Sequence, residues 1–258
     1  MSFSVLIRTH NRPFDLSLAL DSVCNQKFLP KEIFVLDDLN QTSVKNLINQ
    51  FKSKKKMNID YINSQNQFNS LKNLNLIAEK SSSEYLAFLD DDDTWDPFYL
   101  SQNYKFLKSE NIDILYTNFF RVYENEKFEF RIKKLKFKEN ILSNNGFIIS
   151  NLIVRKKSFF ELNGFDFSLT SSADKDFYLS ALINKKNYNI KIQEEFLVNY
   201  KIFKKHNEWK WSDDNSKIFE AKLSFYKKYF LKISFLLHLK MIFQLLKFFK
   251  IYLKNFFS

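Results

Sequence analysis

Four aspartates in a row, Asp90 to Asp93, stand directly behind the apolar run Tyr85-Leu-Ala-Phe-Leu89 and ahead of Thr94-Trp-Asp-Pro97. No other stretch narrows the possible folds as far. An uninterrupted aromatic and aliphatic run of this length predicts a short strand buried on both faces, as in a parallel sheet. Such a strand delivers the carboxylates to its carboxyl end, where open α/β sheets bind ligands. Adjacent like charges repel, and a divalent cation relieves the repulsion. Donors that are all oxygen favour magnesium or manganese over zinc. A plainer reading of the same residues is a solvated acidic turn capping a helix that starts near Pro97.

The residues upstream decide between these readings. Phe3 to Ile7 predicts a first strand, Arg8 to Pro13 the loop after it, and Phe14 to Gln26 a helix with Leu16, Leu20 and Val23 on one face. Glu32-Ile-Phe-Val-Leu-Asp-Asp38 is a second apolar strand ending in carboxylates, followed by a helix from about Thr42 to Phe51. A strand over Asn58 to Ile62 and a helix over Asn69 to Lys80 complete the run up to Tyr85. Strands alternating with helices imply right-handed crossovers and a mostly parallel sheet. The loop Arg8 to Pro13 has no glycine, which argues against a sugar-phosphate nucleotidyltransferase. Zinc-spaced Cys and His sets and Ser-His-Asp constellations are absent from the sequence.

Taken in order, Ser4 to Pro13, Leu20 to Val23, Glu32 to Asp38, Asn66 to Asn73 and Tyr85 to Pro97 resemble the successive blocks of the family 2 inverting glycosyltransferases of GT-A fold. Order and spacing agree over residues 1 to about 100. The resemblance implies a nucleotide diphosphate sugar as donor, UDP-glucose or UDP-galactose being the first expectation, with Mn2+ or Mg2+. It places Thr9, Asn11 and Arg12 against the nucleotide base, and Asp38, or Asp37 beside it, where a carboxylate accepts the uracil N–H. Lys72 stands where the family has Arg, keeping the charge but losing the bidentate fork. Asp90 is expected at the ribose and Asp92 on the metal, with Asp91 and Asp93 flanking them. His10 is expected to be a packing variant within the nucleotide loop. Two departures stand out: Leu39-Asn40 replaces a common Gly-Ser, and Asn75 a common Gly. Asn tolerates left-handed backbone, so both are expected to preserve turns.

Beyond Pro97, Phe98 to Lys108 predicts a helix, Ile112 to Thr117 a strand, and Phe119 to Leu135 a hairpin. Gly146 and Gly164 are the only glycines, so each is expected where the backbone demands one. Asn151 to Lys157, Leu162 to Asp166 and Ser172 to Leu179 resemble the acceptor-side blocks of the same family. Alignment on Gly164-Phe-Asp166 makes Asp174 the catalytic base; read from the residues alone, Asp174 is a helix N-cap. Asp176 is the next candidate for the base, or else compensates the helix dipole. His206, after a strand-like Phe196 to Phe203, falls where some relatives set a His against the metal or diphosphate.

These expectations give one GT-A domain over residues 1–212, with a donor half (1–100) and an acceptor half (101–212), and a helical tail over 213–258. A net charge of +11 invites an anionic partner. The rival function is a non-catalytic basic module for nucleic acid or anionic polysaccharide, but Asp90 to Asp93 would put negative charge in its cleft, so no nucleic acid partner is expected. A single cysteine, Cys24, and an N-terminus without a signal-like segment suggest the cytoplasm. The tail alternates lysines (228, 232, 240, 247, 250, 254) with aromatic and aliphatic residues. On one continuous helix those lysines fall within an arc of about 120°. The tail is therefore expected either to dock on the domain or to lie in the plane of an anionic inner leaflet. There it would sit beside a glycan or glycolipid acceptor such as a lipooligosaccharide core or capsule.

Overall fold

The computed structural model describes residues 1–64, 70–124, 126–133, 137, 141, 145–169, 172–202, 215–233, 238–243 and 245–246. Strand β1 (Phe3–Thr9) is apolar on both faces, and Phe3, Val5 and Ile7 are fully buried along with Leu6. It runs parallel to β2 (Glu32–Asp37) on one side and β4 (Tyr85–Asp90) on the other, and β3 (Ile59–Asn63) extends the parallel set beyond β2. Helices α1 (Pro13–Cys24), α2 (Thr42–Lys55) and α3 (Ser70–Lys80) make the connections. Pro13 opens α1 at its first turn, where a missing N–H costs nothing.

The register aligns the strand ends. Arg8 lies opposite Asp90, and Thr9 opposite Asp37, so the carboxyl ends of β1, β2 and β4 finish level with one another.

The second half is mixed rather than parallel. After the two-residue strand β5 (Thr94–Trp95) and α4 (Tyr99–Ser109), the long strand β6 (Ile114–Tyr123) forms the expected hairpin with β7 (Glu126–Phe130). Strand β8 (Leu152–Arg155) inserts antiparallel between β4 and β6 and joins the halves into one sheet, which β9 (Ile190–Lys201) and β5 complete. The aspartate run does not cap α4. Strand β5 intervenes, and Asp96 receives the N–H of Phe98 at the start of that helix.

Both glycines have positive φ, +86° at Gly146 and +64° at Gly164, and an added Cβ would strike Phe130 or Asn75. Asn40 is left-handed (φ 54°), as expected of a Gly replacement, and so is Asn11 (φ 57°). Asn75 is not. It lies within α3 and clamps the peptide of Phe165, accepting its N–H at 2.9 Å and donating to its carbonyl at 2.8 Å. The residue therefore fills the space that Gly164 leaves open instead of making a turn.

Helices α5 (Lys156–Glu161) and α6 (Ala173–Ile183) follow β8, and α7 (Asn215–Tyr229) packs against α6. Phe225, Tyr226, Tyr229 and Met241 form a second small core with Ile141, Leu169 and Leu179. Tail and domain thus share a core at this point. A single helix does not run through the tail: a 3-10 turn over Phe230–Lys232 ends in extended Ile233, which breaks the lysine stripe. Lys228 faces the domain, paired with Asp166 and Asp176. Among the described residues no helix is long and apolar enough to cross a membrane.

Candidate active site

Asp90 to Asp93 leave the end of β4 in four different environments. Asp90 accepts Arg8 Nε at 2.6 Å and, less closely, Nη2 at 3.4 Å. Asp91 is 1% exposed and accepts the Thr9 hydroxyl at 2.6 Å and the His10 N–H at 3.2 Å. Its other oxygen lies 2.8 Å from Arg12 Nη2 but is not aligned for a hydrogen bond, so it remains a buried acceptor. Burial, outweighing Arg12 and Thr9, pushes the Asp91 carboxyl up to about 7. Asp92 keeps more solvent and pairs with Arg12 Nη1.

Asp93 is buried, and both of its oxygens are used, one by the Ser150 hydroxyl and one by the backbone N–H of Lys201. Burial holds its carboxyl well above the usual range, with Asp92 and Asp90 adding to the effect. Ser150 works twice, because its Oγ also accepts the Asp90 N–H at 3.0 Å, and its carbonyl receives Trp95 Nε1 at 2.8 Å. The short 3-10 turn Ile149–Asn151 thereby fixes the acidic corner.

Two arginines set against four carboxylates leave the corner short of positive charge. Asp90, Asp92 and Asp93 can each bring one oxygen within 4.8 Å of the others. An oxygen-only set of that size fits magnesium or manganese. Asp93 is the least available of the three, since its lone pairs already serve Ser150 and Lys201.

Across the sheet, the β2 carboxylates separate. Asp37 is fully buried and accepts the N–H groups of Leu39 and Gln41 and the hydroxyl of Tyr61, which closes its own loop. Asp38 donates its N–H to the Thr9 carbonyl but leaves a buried carboxylate oxygen without a partner. Burial raises its carboxyl to about 6, against the pull of Arg8. Of the pair, Asp38 is the one with capacity for a ligand. Thr9 is committed to Asp91, and Asn11, exposed on its loop, accepts from Gln41 at 2.6 Å. Lys72 stands exposed on the first turn of α3. His206 lies outside the described residues.

Asp174 approaches from the acceptor half. It is not the N-cap, a position held by left-handed Ser172, but sits in the first turn of α6, where Oδ1 accepts the N–H of Lys175 at 2.7 Å. Burial pushes its carboxyl up to about 6; the Asp90 charge adds to this, while the Lys175 N–H and Arg8 oppose it. The Tyr200 hydroxyl of β9 is pushed up by burial and then by Asp93, Asp174 and Asp90. Asp176 turns the other way, 2% exposed, with one oxygen bonded to Lys228 and the other to Tyr229.

Sequence reasoning did not single out Arg8, Ser150 or Tyr200. Arg8 alone carried a signal, as an arginine on the end of a buried apolar strand that has to find a carboxylate.

A parallel half and a mixed half in one sheet, with carboxylates at the end of a parallel strand, is the layout of the GT-A glycosyltransferases. The chain belongs to glycosyl transferase family 2, which it matches over residues 4–166. It is 28% identical over 217 residues to an uncharacterised glycosyltransferase of Methanocaldococcus jannaschii, covering 79% of this chain and 72% of that one. An uncharacterised Rickettsia bellii glycosyltransferase is 31% identical over 138 residues, 54% of this chain and 20% of its own. Among solved structures, S. aureus TarS in complex with UDP superposes with a TM-score of 0.64 at 18% identity, over 86% of this chain and 63% of the TarS chain. The mannosyltransferase PcManGT of Pyrobaculum calidifontis, in complex with GDP-Man and Mn2+, gives 0.62 at 12% identity, over 90% of this chain and 65% of its own. The chain thus spans just under two thirds of either structural neighbour.

Proposed function

We propose that the chain transfers a hexose from a UDP-linked donor to a hydroxyl of a surface glycan, such as a lipooligosaccharide core or capsule, with inversion at the anomeric carbon. The observation that carries this reading is the acidic corner at the carboxyl end of β4, where Asp90, Asp92 and Asp93 can each bring one oxygen within 4.8 Å of the others, with Asp174 on a separate helix. Asp38 offers its unpartnered oxygen to the uracil N–H, while Arg12 and Asn11 border the base and Asp90 reaches the ribose. Asp92 and Asp90 would hold a divalent cation, which supplies charge to neutralise the diphosphate as it leaves. Asp174 takes the proton from the acceptor hydroxyl as its oxygen bonds to the anomeric carbon. The bond from that carbon to the diphosphate oxygen breaks and its electron pair departs with UDP. Attack and departure on opposite faces invert the centre.

The test is a thermal-shift panel of UDP-glucose, UDP-galactose, UDP-GlcNAc and GDP-mannose, with and without manganese. A UDP sugar is expected to stabilise the protein only with the metal, by roughly 3 kcal/mol at a hundred times its Kd. Stabilisation by GDP-mannose alone would overturn the uracil assignment, and metal-independent stabilisation the cation site. The basic-module alternative gains nothing from the structure, because the cleft is lined by carboxylates.

A place on the inner face of the cytoplasmic membrane belongs to the same proposal. Leu231 (94% exposed), Phe243 (79%), Phe230, Ile242 and Leu246 present apolar surface in the last described turns, beside exposed Lys232 and Lys240. Apolar side chains interleaved with lysines suit an anionic interface. The double variant Leu231→Glu, Phe243→Glu should lower sedimentation with phosphatidylserine vesicles by about tenfold or more and leave donor hydrolysis unchanged. Unaltered sedimentation would remove the membrane from the proposal.

A further inference from the structure

We propose that Lys228 and Tyr229 of α7 are positioning residues that hold the Asp174 base in place through Asp176, so that the tail is part of the catalytic apparatus. The inference rests on Asp174 being the base. Asp174 and Asp176 are two residues apart in the first turn of α6, which sets them about 200° apart around the helix. One carboxylate therefore faces the tail and the other faces away from it.

On the tail side the grip is dense. Tyr229 donates its hydroxyl to Asp176 Oδ1 at 2.6 Å, and Lys228 Nζ reaches Asp176 Oδ2 at 2.8 Å and Asp166 Oδ2 at 2.6 Å. Lys228 therefore ties the first turn of α6 to the turn after Gly164, which Asn75 clamps from α3. Between the two carboxylates, Lys175 donates to the Ile141 carbonyl at 2.6 Å and lies over the Phe225 ring of α7. Tyr229 is fully buried among Phe225, Leu179 and Ile141, so its hydroxyl is anchored by its own ring packing.

A buried carboxylate with two strong donors is costly to leave half-paired. Loss of either donor is relieved by rotation or fraying of this first turn, and Asp174 moves with it because a helical turn shifts as a unit. Displacement of a proton acceptor by about 1 Å can cost on the order of a hundredfold in rate. The proposed donor contacts, which lie at and just beyond the carboxyl ends of β1, β2 and β4, stay where they are.

The test uses the full chain and hydrolysis of the panel sugar that stabilises it most, with water as acceptor. Tyr229→Phe, which keeps the ring, should lower kcat about fivefold, and Lys228→Met about tenfold or more. KM for the donor and UDP affinity by calorimetry should not change, and Lys228→Arg should restore most of the rate. Lys228→Met added to Asp174→Asn should cost nothing further, because it acts through the base. If Asp174→Asn is inactive while Tyr229→Phe and Lys228→Met keep full kcat, the positioning role is wrong and the base assignment stands. If Asp174→Asn itself keeps its rate, the base assignment fails and the positioning role with it. Losses that follow the unfolded fraction, or that persist on the Asp174→Asn background, would make the contact purely structural and overturn the proposal.

Discussion

Asp92→Asn should abolish turnover and erase the manganese-dependent part of the stabilisation by UDP. Asp92 is one of the two carboxylates of the acidic corner, with Asp90, that keep solvent exposure and can reach a shared cation. Asp91 is buried against Thr9 and His10, and Asp93 is consumed by Ser150 and Lys201. An amide is a far poorer ligand for a hard cation than a carboxylate. The variant should nevertheless fold, because Arg12 keeps Asp91 at 2.8 Å and the corner loses one of its mutually repelling charges. Its Tm without ligands should match the parent within a degree or two, or exceed it. The decisive measurement is donor hydrolysis in chelator and in manganese, beside thermal shifts with UDP. Wild-type turnover in chelator would show that the corner needs no metal.

The parts of this design that were legible in the sequence are those written in local pattern. Strands β1, β2 and β4 stand out because parallel strands buried on both faces have to be continuously apolar, so the switch to carboxylates marks their ends. The hairpin of β6 and β7 was legible from the alternation of polar and aromatic residues, the pattern of antiparallel strands with one face more exposed. What stayed hidden depends on partners far along the chain. Asp37 and Asp38 are adjacent and chemically identical, and only the closure of one loop by Leu39, Gln41 and Tyr61 spends one and spares the other. Asn75 was expected to preserve a turn, but it lies inside the helix expected over Asn69 to Lys80, and its amide instead meets the peptide of Phe165, 90 residues away. The lysine arc of the tail assumed one unbroken helix. Tyr229 to Ile233 contains neither Gly nor Pro to announce the break, which comes directly after Lys228 and Tyr229, the two residues held by Asp166 and Asp176.

The largest effect on chemistry alone is expected at Asp174. Asp174→Asn should lower kcat by a hundredfold or more while UDP and donor affinity stay near the parent values, since the amide cannot accept the acceptor's proton and Asp174 makes no donor contact on β1, β2 or β4. Burial has raised this carboxyl from its ordinary 3.8 to about 6, so its ionised fraction falls as pH drops through about 6. The acid limb of the parent enzyme's turnover should therefore lie near pH 6 instead of near 4. The same shift makes the protein's stability depend on pH. The folded state binds the proton more tightly than the unfolded chain, so folding loses stability as pH rises from about 4 to about 6 and does not regain it above. The neutral amide has no such penalty, and Asp174→Asn should melt a few degrees higher than the parent at pH 7.5 and about level with it at pH 4 (roughly 2–4 °C per kcal/mol for a chain of this size). A residue whose loss stabilises the protein while removing turnover is held in place for chemistry and not for folding. Calorimetric melts at the two pH values, set beside kcat and the donor KM, separate the possibilities. A variant that melts lower at pH 7.5, or that binds donor poorly with normal kcat, would make Asp174 a structural member of the first turn of α6.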